Sequence, residues 1–184
     1  MLIFIFTLFP IIASILIGIL CAVSDFKQLK IPNEYNLIVI GLFVFAQIGL
    51  FFIEASPHIL PTITSALIAG FILFAMSVAM FLFRLMGAGD SKMMTAFAFF
   101  IGVKQIPVFL FYMMTTGAVL AVATLLLIKY KPFEAPREGS WIFFAQKGDK
   151  TKVPYGIAIL VGVVCAYLYG GYFDVQTYLS IFAR

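Results

Sequence analysis

Long apolar runs separated by short polar intervals dominate this chain. Apolar residues fill roughly 2–24, 35–53, 62–84, 93–103, 106–128 and 153–170, and charged residues gather in the gaps between them. A helix needs about 20 apolar residues to cross a bilayer core, and every run except the fourth is close to that length. Inside lipid a helix is favoured because it satisfies its own backbone groups. The pattern therefore predicts an all-α integral membrane protein with about six transmembrane helices. The fourth run, Met93 to Val103, is short. It extends back through Asp90, tilts, or sits beside a polar site. Lys104-Gln105-Ile106-Pro107 marks the expected turn into the fifth run, since Pro suits a helix start. The first 24 residues carry neither a basic start nor a clear cleavage site, so they read as a retained span and not as a signal peptide.

Composition narrows the class. Of the 184 residues, 64% are hydrophobic and only 11% charged, against about a quarter charged in soluble domains. A soluble enzyme, a nucleic-acid-binding domain and a disordered chain are excluded. The expected organisation is one polytopic domain over 1–184 with a bilayer as its surroundings. Cys21 and Cys165 lie in apolar runs without a C-x-x-C pair, and His58 stands alone. Neither a metal site nor another cofactor is expected on that ligand set.

Charge sets the orientation. Ten of the 12 basic residues fall in the intervals after spans one, three and five, and only Lys104 and Arg184 fall on the other side. The positive-inside rule puts those ten in the cytoplasm and both termini outside, as in a multi-pass protein of the cytoplasmic (inner) membrane. Residues 129–152 form the one sizeable cytoplasmic loop, and its apolar cluster Trp141-Ile142-Phe143-Phe144 is expected at headgroup level. The tail from Gly171 extends span six or lies along the interface. Ser65, Ala66, Ala69 and Gly70 suit close helix packing in span three.

Acidic residues are scarce, and two of them hold matching positions. Asp25 closes span one, and Asp90 follows Gly87-Ala88-Gly89 between spans three and four, both on the cytoplasmic side by the charge count. A close pair of carboxylates shares a proton, because both cannot ionise easily. The ionised member can draw a proton from water while the protonated one polarises a peptide carbonyl. Gly87 and Gly89 permit close backbone approach, which would let an extended substrate lie beside Asp90. Each acid also has a plain alternative. Asp25 can be a solvated residue ending a helix, and Asp90 can be the N-cap of a helix starting near Lys92.

Three segments taken in order resemble a known family. They are Asp25 followed by Lys30-Ile31-Pro32-Asn33, then Gly87-Ala88-Gly89-Asp90-Ser91-Lys92, then Pro154-Tyr155-Gly156-Ile157-Ala158. The middle segment resembles the G-A-G-D-x-K signature of the type IV prepilin peptidases, membrane aspartic proteases of the GxGD class, and the likeness runs over about residues 10–170. The resemblance implies cleavage of the basic leader from prepilin or pseudopilin precursors at the cytoplasmic membrane face, with Asp25 and Asp90 as the catalytic pair. Pro32, Asn33, Gly87, Gly89, Lys92, Pro154 and Gly156 would support them. Asn33 suits a cap of span two, Pro154 the first turn of span six, and Lys92 a snorkelling anchor or a charge tuning the pair. Glu34, Glu134, Glu138 and Asp149 are cytoplasmic acids that can attract a basic leader, although solvated charge is the simpler reading. Relatives that also N-methylate carry an N-terminal cytoplasmic region with paired cysteines. This chain resembles the short, peptidase-only branch, such as those serving tight-adherence (Flp-type) pili. Two other classes compete with the peptidase: an ion- or proton-coupled transporter, because membrane acids also mark ion pathways, and a non-catalytic subunit of a pilus or secretion assembly.

Overall fold

The computed structural model describes residues 2–52, 59–149, 152–176 and 178. Glu54, His58, Lys150 and Arg184 lie outside the described residues. The described elements are all helical: α1 (Leu2–Gln28), α2 (Asn33–Phe52), α3 (Ile63–Leu82), α4 (Ala88–Tyr130), α5 (Trp141–Gln146) and α6 (Tyr155–Tyr169). The helices α1 to α4 are long and apolar enough to cross a membrane, and α6 is a shorter apolar helix. This is a multi-pass membrane protein. Its outward faces agree with that, since Phe51, Phe71, Phe111 and Met114 are left largely exposed in a number that lipid accepts and water penalises.

The fourth and fifth runs meet sooner than expected. They join at Gly102, whose backbone (φ 66°, ψ 169°) is non-helical within α4. That region of backbone space is essentially restricted to glycine, and a Cβ there would lie 2.6 Å from the Pro61 ring. The two arms run in opposite directions. Before Gly102, Ser91 donates to the Ser77 carbonyl and Phe99 packs on Gly70, so this arm is antiparallel to α3. Phe97 shares a contact with Leu160 over Gly18, and Phe100 faces Tyr167, so the arm runs parallel to α6. After Gly102 the order inverts, with Phe109 against Gly162 and Gly117 against Tyr155. The first arm is thus a rod of its own, beginning at Ala88 and not at Met93. Pro107 falls inside the second arm, a few residues past the reversal.

The break is closed by side chains from elsewhere. Ser65 of α3 accepts the Val103 amide at 3.0 Å, and the Tyr172 hydroxyl donates to the Phe100 carbonyl. Ser65 thus does more than permit close packing. Tyr172 also stacks on Tyr167 at 4.9 Å, so the residues after α6 turn back onto the bundle. Phe97, Phe100, Phe109, Ile11, Leu73 and Tyr167 form the fully buried centre. The segment after α4 is held to the bundle by its tryptophan. Trp141 is buried, its ring faces Phe26 at 5.6 Å, and its indole N–H donates to Thr124 at 2.9 Å.

Candidate active site

Asp25 sits one turn before the end of α1, and its carboxylate reaches another helix. Its Oδ2 accepts the Gly156 amide at 2.8 Å. That amide belongs to the first turn of α6, where N–H groups have no partner within the helix, and Pro154 before it supplies no side-chain cap. An acid at the C-terminus of α1 opposes that helix's dipole, yet the same acid lies at the positive end of α6. Gly156 makes this possible, since a Cβ there would lie 3.1 Å from both Cβ and Oδ2 of Asp25. Pro154 itself is buried and sits at the position just before α6.

Asp90 lies in the first turn of α4, and its Oδ2 accepts the Gly87 amide at 3.2 Å. This is half of a capping box, the acid reaching back to the cap residue's N–H. Helix α4 starts at Ala88, so Asp90 is inside the helix and caps it from its third position. Both carboxylates are buried, at 4% exposure for Asp25 and 8% for Asp90.

Two cavities meet at this pair. The larger is about 1190 Å³ and the smaller about 560 Å³. Both are lined by Asp25, Gln28, Leu29, Lys30, Gly87 and Asp90, so the aspartates stand at the waist between them. Lys30, Arg84, Arg137 and Lys152 line the larger cavity with Glu138. Glu34 lines the smaller one with Lys30 and Lys92. Around the cavities these cations outnumber Glu34 and Glu138.

The remaining motif residues are brought to the same end of the molecule. Ile31 and Pro32 run extended into α2, as expected of a residue before proline. Gly89 packs on Ile31, its Cβ position 3.4 Å from the Ile31 Cβ. One side of Gly89 therefore meets the chain's own extended segment, while Gly89 also lines the smaller cavity. Lys92 donates to the Asn33 Oδ1 at 2.9 Å. That bond ties the start of α2 to the start of α4. Leu29 (φ 51°) and Arg84 (φ 59°) hold left-handed backbone conformations beside the larger cavity. Nothing in the residue pattern marked them, because neither position is the Gly or Asn that such a turn favours.

Comparison with known proteins decides the family. The model of the type IV leader peptidase family matches residues 11–122. The chain belongs to that family. The match spans α1 to most of α4, so it includes Asp25 and Asp90 and stops before Pro154 and Gly156. Those two are joined to the leader-peptidase segment by the Gly156–Asp25 hydrogen bond. No curated protein and no solved structure matches the chain.

Proposed function

We propose that this family member is a membrane-embedded aspartic endopeptidase that removes the basic leader from prepilin-like precursors, with Asp25 and Asp90 as its catalytic pair. The observation that carries the reading is that two buried carboxylates, 65 positions apart in sequence, line the same two cavities. Each is held by a backbone amide through Oδ2, which fixes its orientation and leaves Oδ1 for chemistry. The pair shares one proton. The ionised carboxylate takes a proton from water as the water oxygen attacks the scissile carbonyl carbon, and the protonated one gives its proton to the carbonyl oxygen. Collapse of the tetrahedral intermediate breaks the C–N bond, and the proton taken from water goes to the departing amine. One hydroxyl of the intermediate returns its proton to the carboxylate that had protonated the carbonyl oxygen. The scissile segment has to be extended, because helical hydrogen bonds shield its amide. Two cavities meeting at the pair suit a peptide that passes from one to the other.

The distribution of basic residues supports action at the cytoplasmic face of the inner membrane. Gly156 and Gly87 act by positioning the carboxylates, and Pro154, Gly89, Pro32, Asn33 and Lys92 by holding the helix starts around them. The test is leader cleavage of a candidate precursor in membranes by wild type, Asp25→Asn and Asp90→Asn. Cleavage by wild type and by neither variant is expected. Cleavage by both variants would overturn the assignment.

A further inference from the structure

Among the described residues three non-glycine positions have left-handed backbones: Leu29, Arg84 and Lys131. Each follows a helix end, where glycine costs least. Arg84 and Lys131 have a local reason to be there, because a cation near a helix C-terminus is favoured by the helix dipole. Leu29 has no charge. An apolar residue there would be explained by packing, yet Leu29 is only half-buried and is absent from the apolar cluster that fills the bundle. It lines both cavities, and its amide donates to the Asp25 carbonyl at 2.7 Å, so its backbone is tied to that of the aspartate. A strained backbone at such a place is retained when its side chain has a task outside the fold.

We propose that Leu29 is a specificity-determining residue, whose side chain meets an apolar substrate side chain flanking the scissile bond at the waist between the two cavities. The inference rests on the peptidase reading above. Its left-handed backbone presents Leu29 from the turn after α1, one helical turn from Asp25, and the cost of that conformation is carried for substrate contact.

The experiment compares precursor cleavage and thermal unfolding in detergent for wild type, Leu29→Gly, Leu29→Asn and Lys131→Gly. Glycine relieves the backbone, and asparagine tolerates it while removing the apolar surface. Both Leu29 variants are expected to lose at least about tenfold in kcat/KM, mainly through KM, with unfolding temperatures equal to or above wild type. Lys131→Gly is expected to cleave as wild type does. Against precursors bearing a bulkier residue beside the scissile bond, Leu29→Gly should lose less than against the native one. Wild-type kinetics in both Leu29 variants would overturn the inference and leave the peptidase intact. A lowered unfolding temperature in Leu29→Gly would also overturn it, because Leu29 would then be holding the fold. A wild type that cleaves no precursor removes the function reading and this inference with it.

Discussion

The two ends of the helix bundle meet one problem with different chemistry. At the Gly102 end, the reversal of α4 frees an amide at Val103 and a carbonyl at Phe100, and the neutral hydroxyls of Ser65 and Tyr172 take them. Aromatic rings close around that repair, Tyr167 stacked on Tyr172 and Phe100 tilted against Tyr167. At the Asp25 end, the starts of α4 and α6 also expose amides, but carboxylates take them, and the surroundings stay open as two cavities. Free backbone groups are costly wherever lipid excludes water. A hydroxyl is enough where the repair only has to hold. A carboxylate is costlier to bury, and Asp25 and Asp90 both line the two cavities. On the proposed reading, the difference separates a structural helix break from a reactive one.

The sharpest way to break this comparison is to neutralise the carboxylates. Asp25→Asn and Asp90→Asn keep an oxygen for the backbone amides, so the fold should survive while leader cleavage falls on the order of 10²–10⁴-fold in each. Intact cleavage in a correctly inserted variant would mean that the acids are caps only. The opposite outcome is expected at the other end. Gly102→Ala forces a side chain into glycine-only backbone at about 1–3 kcal/mol and drives a Cβ against Pro61. It should lower the unfolding temperature while the activity of the protein that remains folded stays at the wild-type level. Ser65→Ala and Tyr172→Phe each leave a backbone group unpaired, at about 1–3 kcal/mol, again with little change in activity per folded molecule.

Gly156→Ala sharpens the contrast, since it acts at the cavity end through geometry alone. The added methyl presses on the Asp25 carboxylate, so cleavage should fall about tenfold through misplacement while unfolding shifts little. The smallest effect belongs to the exposed Lys92–Asn33 hydrogen bond. Lys92→Met should cost at most about 1 kcal/mol, read as a modest shift in unfolding with leader cleavage nearly unchanged.

Much of the architecture was legible because apolar run length and membrane thickness are tied by simple geometry. Six runs, a ten-to-two split of basic residues and two acids at run boundaries were all visible along the chain. The turn into the fifth run was misplaced because Pro107 is a familiar helix-start residue, whereas Gly102 carries no mark separating a reversal from an ordinary glycine. Trp141 looked like an interface residue by type, and only the hydroxyl of Thr124 and the ring of Phe26 explain why it is buried. The contact of Gly89 with Ile31 was not legible either, because it joins segments far apart in the chain.

The residues by themselves determined that the chain lives in lipid, how many apolar segments it has and which of its few acids stand at their ends, because these follow from hydropathy, length and charge along one dimension. Tertiary structure decided which backbone amide each carboxylate holds. It also decided that α4 folds back on itself and that the acids of α1 and α4 share the waist of two cavities. Those outcomes depend on contacts between helices far apart in the chain, and a helix start satisfies its free amides with whatever acceptor the packed neighbour brings within about 3 Å.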